Sequence, residues 1–142
     1  MPFSTDRRDV LKLMGVGGVV FASGLVGAEG KRKKSDSWTD FFFLQLSDTH
    51  WGYSGAANPE ADATLKKTVG TINGVPSQPD FIVFTGDLTH TTDDATVRTR
   101  RMTEFRGIVS DLKVKTRRFI PGEHDAGPDA GHVYREHFGS SL

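Results

Sequence analysis

Three short apolar runs punctuate the chain, and each stops at a polar turn. Phe41 to Ser47 is apolar apart from Gln45 and gives way to Asp48, Thr49 and His50. Phe81 to Thr85 leads into Gly86, Asp87, Leu88, Thr89 and His90. Phe119 and Ile120, which close a third strand read over Arg117 to Ile120, are followed by Pro121, Gly122, Glu123, His124 and Asp125. The first two runs, short and continuously apolar, fit strands buried on both faces, as in a sheet covered by helices. Two longer segments of helical period lie between them. Asn58-Pro59-Glu60 predicts a helix start, with a cap residue, a proline at the first position and then an acid. That helix extends to Ile72 or Asn73, with Leu65, Val69 and Ile72 on one face, and Asn73-Gly74 ends it. A second helix is predicted near Ala95 to Leu112, with a buried stripe of Phe105, Ile108, Val109 and Leu112. Arg98, Arg100 and Arg101 fall mostly off that stripe and read as a solvated surface. A short helix is expected around Val133 to Phe138, with His132 and His137 as surface residues.

The order strand, helix, strand, helix, strand implies an α/β fold with parallel strands and right-handed crossovers. Parallel strands end along one edge of the sheet, where open α/β sheets place their ligands. The three polar turns are therefore expected to converge on one site.

Composition narrows the chemistry of that site. The chain has 142 residues, enough for one domain, with 18 basic and 18 acidic residues. It carries no concentrated basic excess, so no nucleic-acid footprint is legible. The absence of cysteine excludes disulfides, thiolate metal sites and cysteine nucleophiles. Any metal must be held by oxygen and imidazole nitrogen.

Residues 1–28 read as an export signal rather than as part of the fold. Arg7 and Arg8 precede Asp9, Val10, Leu11 and Lys12, which resembles the twin-arginine pattern. The following apolar run, Leu13 to Ala28, holds five glycines in sixteen residues, short of the roughly 20 residues of a membrane-spanning helix. Val26-Gly27-Ala28 offers small residues for cleavage after Ala28. The expectation is a protein handed to the twin-arginine export machinery and delivered to the periplasm or outside the cell, or held at the membrane if the signal is retained. Residues 29–40, with Lys31 to Lys34 and then Ser35, Asp36 and Ser37, read as a solvated basic and polar linker. The domain proper then spans 41–142.

Asp48 and His50 are two apart, and in an extended segment such positions point the same way, so both could bind one cation. Gly86 lets the backbone turn sharply before Asp87, whose two oxygens could bridge two cations. Glu123 and His124 stand on the third turn. Carboxylates mixed with imidazoles suit Zn, Mn or Fe. Two such ions roughly 4 Å apart activate a water and grip phosphoryl oxygens in an in-line displacement.

The ordered trio Asp48-Thr49-His50, Gly86-Asp87-Leu88-Thr89-His90 and Gly122-Glu123-His124-Asp125, each after a strand, resembles the motifs of the calcineurin-like metallophosphoesterases. The resemblance covers about residues 41 to 138. It implies an αββα sandwich, of which only the amino-terminal β-α-β-α-β half is present. It further implies two divalent metal ions (Fe, Mn or Zn) and hydrolysis of phosphate mono- or diesters by a metal-bound hydroxide. By position, Asp48 and His50 are expected to ligate the first metal, Asp87 to bridge, and Glu123 to ligate the second. His124 is expected to contact phosphate and protonate the leaving group, with Asp125 orienting it. His90 matches a motif position that is not usually a ligand.

Two departures qualify that expectation. Glu123 stands where the family has asparagine, adding negative charge that holds a metal but weakens its Lewis acidity and repels phosphate. The downstream G-H-x-H motif is missing; Gly131-His132-Val133-Tyr134 keeps only its first half. The second reading is accordingly a truncated, inactive relative or metal-binding remnant that holds one cation or none. Such a half sheet would leave an unpaired edge through which the chain could dimerise.

Overall fold

The structure is a computed structural model, and it describes residues 41–139. The expected export signal (1–28) and linker (29–40) lie outside the described residues. The elements, in chain order, are β1 (Phe43–Leu46), α1 (Ala61–Gly74), β2 (Phe81–Thr85), α2 (Ala95–Ser110), β3 (Arg117–Ile120), α3 (Glu123–Ala126), a 3₁₀ turn (Gly127–Asp129) and α4 (His132–Phe138). The strands form one parallel sheet in the order β1-β2-β3. Phe43 is paired with Phe81, and Thr85 with Ile120. This is the alternating α/β architecture that the apolar runs predict.

Among the described residues the sheet is covered on one face only, which corrects the expectation of strands buried on both. Burial alternates along β1 and β2. Leu44, Leu46, Ile82 and Phe84 face a core completed by Leu65, Val69 and Ile72 of α1, Met102, Phe105 and Val109 of α2, and Val133 and Tyr134 of α4. The physical reason lies in the strand order. Successive right-handed crossovers that step the same way across a sheet deliver their helices to the same face. The other face carries Phe43 and Phe81 as stacked rings 4.7 Å apart. Phe41 and Ile120 remain 59% and 49% exposed.

Other boundaries differ in instructive ways. Helix α1 begins at Ala61, not at Asn58. Asn58 instead closes a turn, its N–H donating to the Gly55 carbonyl (3.1 Å). Asn73 ends α1 usefully: its side-chain amide donates to the Asp111 carbonyl and accepts from the Lys113 N–H (both 2.8 Å), tying the ends of α1 and α2 together. The stripe of α2 is Arg98, Met102, Phe105 and Val109, so Arg98 is buried rather than solvated. Its charge is met by Asp129 at 3.2 Å and by the Thr92 carbonyl at 2.7 Å, which is how a cation is accommodated inside. The first turn of α2 is capped by Asp94, which accepts from the N–H groups of Thr96 and Val97.

Candidate metal centre

The three polar turns converge at the carboxyl edge of the sheet. Beyond the last residues of β1 and β2 the two chains stay paired in an irregular ladder. Asp48 N–H donates to the Gly86 carbonyl (3.1 Å), His50 N–H to Asp87 (2.9 Å), Trp51 N–H to Leu88 (3.0 Å), and His90 N–H back to Trp51 (2.9 Å). The third turn packs on the second so closely that glycine is required at 122. A Cβ there would lie 2.1 Å from Asp87 Oδ1 and 2.3 Å from Asp87 N. Gly86 supplies the sharp bend before Asp87 with φ of 105°.

The backbone is strained where the chemistry is expected. Among the described residues, four other than glycine have positive φ, and three of them are Asp48 (55°), His50 (43°) and Asp87 (49°). Left-handed backbone at residues with side chains is disfavoured, and such strain concentrates at functional sites. It also corrects the reason given for Asp48 and His50 acting together. They do not alternate along an extended strand; two left-handed residues fold the loop back on itself. His50 Nε2 comes to lie 3.8 Å from Asp48 Oδ1 and 3.9 Å from Asp87 Oδ2.

Donor atoms cluster in three overlapping groups: Asp48, His50 and Asp87; Asp87, Glu123 and His124; and His50, His90 and His124, with the donors of each within 4.8 Å of one another. Two donors bonded to one transition-metal ion at about 2.1 Å lie at most about 4 Å apart, so small closures suffice. Asp87 belongs to both carboxylate groups, as a bridging ligand must. The Nδ1 atoms of His50 and His90 are buried without a hydrogen-bond partner, although buried polar atoms ordinarily have one. Mixed carboxylate and imidazole donors, orphaned ring nitrogens and local strain all fit divalent cations.

His90 joins this cluster, which its motif position did not foretell. Its ring stacks on His124 at 5.1 Å and meets His50 edge-on at 5.6 Å. Burial lowers its pKa, helped by His124, His50 and Arg101, while Asp87 pulls the other way. The neutral imidazole is the form a cation can use.

His124 is oriented differently from the expectation. Its Nδ1 accepts the Thr91 N–H at 3.1 Å. While that bond holds, the neutral ring carries its proton on Nε2. His124 is thereby suited to donating a hydrogen bond from Nε2–H to an oxygen, and ligation through Nε2 would require the Thr91 bond to break. Asp125 does not orient it. That carboxylate is fully buried. It accepts the N–H groups of Leu88, Thr89 and Gly122 at 3.0 Å each, and the Thr89 hydroxyl at 3.3 Å. Burial raises the Asp125 pKa, while those backbone N–H groups hold it back. Asp125 is therefore the clasp between the second and third turns. Glu123 is 87% exposed, with Oε1 3.8 Å from His124 Nε2.

A family profile described as calcineurin-like phosphoesterase matches residues 43–141. The chain belongs to the calcineurin-like phosphoesterase family. No curated protein matches the chain. Family membership implies divalent metals, and Asp48, His50 and Asp87 form a candidate group for them. The hydrolase and metal-binding character expected from the three motifs thus has its family, and the three-stranded half sheet is consistent with part of that fold.

Proposed function

We propose that this chain binds divalent cations at the converged turns and hydrolyses a phosphate mono- or diester. The observation that carries the proposal is the concentration of left-handed backbone at Asp48, His50 and Asp87, the same residues whose donors share one group. Bound cations would supply Lewis acidity toward phosphoryl oxygens and a water nucleophilic near neutral pH. The protein's own residues do the rest. Asp48 and His50 would hold one cation, Asp87 would be shared with a second, and Glu123 would reach that second one from solvent. The carboxylates of Asp48 and Asp87 are poised by the loop geometry before any ligand arrives, so little ordering is left to be done on binding. The Nε2–H of His124 would donate a hydrogen bond to a phosphoryl or departing oxygen, and full proton transfer would need the Thr91 bond to open so that Nδ1 can carry a second proton. Delivery outside the cytoplasm is part of this reading and rests on Arg7, Arg8 and the glycine-rich run after them.

One contact favours the second reading, a cation-binding protein without turnover. Glu123 places a carboxylate 3.8 Å from His124 Nε2, where it competes with a phosphoryl oxygen for that N–H. The test that separates the two is hydrolysis of a phosphodiester by the full chain with added Mn²⁺, alongside calorimetric titration of Mn²⁺. Turnover that follows cation occupancy supports the esterase. Binding without turnover supports the second reading, and no binding refutes the esterase and leaves only an inactive relative that holds no cation.

A further inference from the structure

The ladder between the first two turns runs out at His90 N–H, and the carbonyls of Gly52, His90 and Thr91 follow it. No backbone donor among the described residues reaches them. All three are collected by one side chain from the middle of α2. Arg101 Nη1 donates to the His90 carbonyl (2.8 Å) and the Thr91 carbonyl (3.1 Å), and Nη2 donates to the Gly52 carbonyl (2.9 Å). The contact is built into the loop. Gly52 has φ of 85°, and a Cβ there would lie 2.3 Å from Arg101 Nε. No carboxylate among the described residues forms an ion pair with this guanidinium, so its hydrogen-bond partners there are the three carbonyls. A rigid planar fork can span two loops in this way, where a point-like ammonium cannot.

We propose that Arg101 is a positioning residue for the metal centre, clamping the His50 loop to the His90 loop and setting the His124 ring through Thr91. The last link is direct: the Thr91 carbonyl accepts from Arg101, and the Thr91 N–H donates to His124 Nδ1. One residue outside all three motifs therefore reaches each of them. The solvated surface role expected of Arg101 is replaced by this one. The proposal rests on the cation-binding reading for its effect on affinity, but not for its effect on His124.

The test uses the full chain carrying Arg101→Met. Arg117→Met serves as the control, because Arg117 also donates to three carbonyls, those of Val109, Ser110 and Leu112, at the far end of β3 from the site. Arg101→Met is expected to weaken Mn²⁺ binding about tenfold, the lower end for residues that support metal ligands. Nitrogen NMR of His124 is expected to change from one ring tautomer, protonated at Nε2, to a mixture. Arg117→Met is expected to lower the melting temperature while leaving both readouts as in wild type. Wild-type affinity and wild-type His124 tautomer in Arg101→Met would overturn the proposal. If Arg101→Met does not fold, Arg101→Lys takes its place, with about threefold weaker binding and a mixed tautomer expected; wild-type values for both overturn the proposal. If the wild type binds no Mn²⁺, the function reading fails, and the tautomer alone decides the role of Arg101.

Discussion

Replacing Asp125 by asparagine keeps the shape of the side chain and should still cost nearly as much stability as deleting it. The structure gives the reason. Oδ2 accepts from Leu88 N–H and Gly122 N–H, while Oδ1 accepts from Thr89 N–H and the Thr89 hydroxyl. Three of these four neighbours are backbone N–H groups, which can only donate, and between them they engage both carboxylate oxygens. Asparagine offers one oxygen; in its better orientation the amide nitrogen meets the Thr89 N–H head-on, while the Thr89 hydroxyl can turn to accept from it. Each buried N–H left without an acceptor costs about 1–3 kcal/mol. The Thr89 N–H and the second amide hydrogen, both left unpaired, give about 2–6 kcal/mol, reduced by release of the carboxylate desolvation that raises the Asp125 pKa. The working figure is about 3 kcal/mol for Asp125→Asn and about 4 kcal/mol for Asp125→Ala, against about 5–15 kcal/mol for a whole domain. Urea unfolding followed by circular dichroism measures both. An Asp125→Asn variant within about 0.5 kcal/mol of wild type would refute the clasp and reduce Asp125 to a volume-filling residue.

Three further outcomes follow from the same geometry. Gly122→Ala should displace Asp87 and weaken Mn²⁺ binding about tenfold in calorimetry, because the added Cβ collides with Asp87 Oδ1 and N. Glu123→Asn should raise phosphodiester turnover, since it removes the carboxylate 3.8 Å from His124 Nε2; equal or lower turnover counts against competition for that N–H. Burial pushes the Asp129 pKa up, but the Val133 N–H, Arg98 and the His132 N–H bring it below the ordinary aspartate value. Its contribution to stability is therefore present above the ordinary aspartate pKa of about 4 and is lost as pH falls through its lower folded value. Acid unfolding of Asp129→Asn, monitored by fluorescence, should show a shallower loss of stability over that range.

The fold was legible wherever short-range pattern decides structure. The apolar run Phe81 to Thr85 is β2 to the residue, and Arg117 to Ile120 is β3. The alternation of strand and helix correctly placed three polar turns along one edge. What periodicity could not show was the one-sided covering of the sheet, because a strand with one half-exposed aromatic face reads as continuously apolar. Phe43 and Phe81 are apolar whether or not a layer packs on them.

The site was legible as residue types and less so as geometry. Asp48, His50, Asp87, Glu123 and His124 all stand in groups with metal-donor spacing. The signal that would have added His90 was present in its own motif, four residues after Gly86, but its closeness to His50 and His124 depends on how two loops fold back. The partner of the Asp125 carboxylate is set by burial, which sequence spacing does not report. Arg98 and Arg101 were hidden for a related reason: an arginine on a helix looks solvated until its neighbours include an ion-pair partner or unmet carbonyls. No local pattern marks Thr91, whose backbone N–H decides the tautomer of His124.

Asp87 is the residue shared by both carboxylate groups, and the proposed cation-dependent phosphoesterase centre depends on it. The most direct measurement is hydrolysis of a chromogenic phosphodiester by the full chain, titrated with Mn²⁺, beside Asp87→Asn. The account predicts turnover that rises with Mn²⁺ in the wild type and stays at background in Asp87→Asn. Turnover in Asp87→Asn equal to that of the wild type would contradict it.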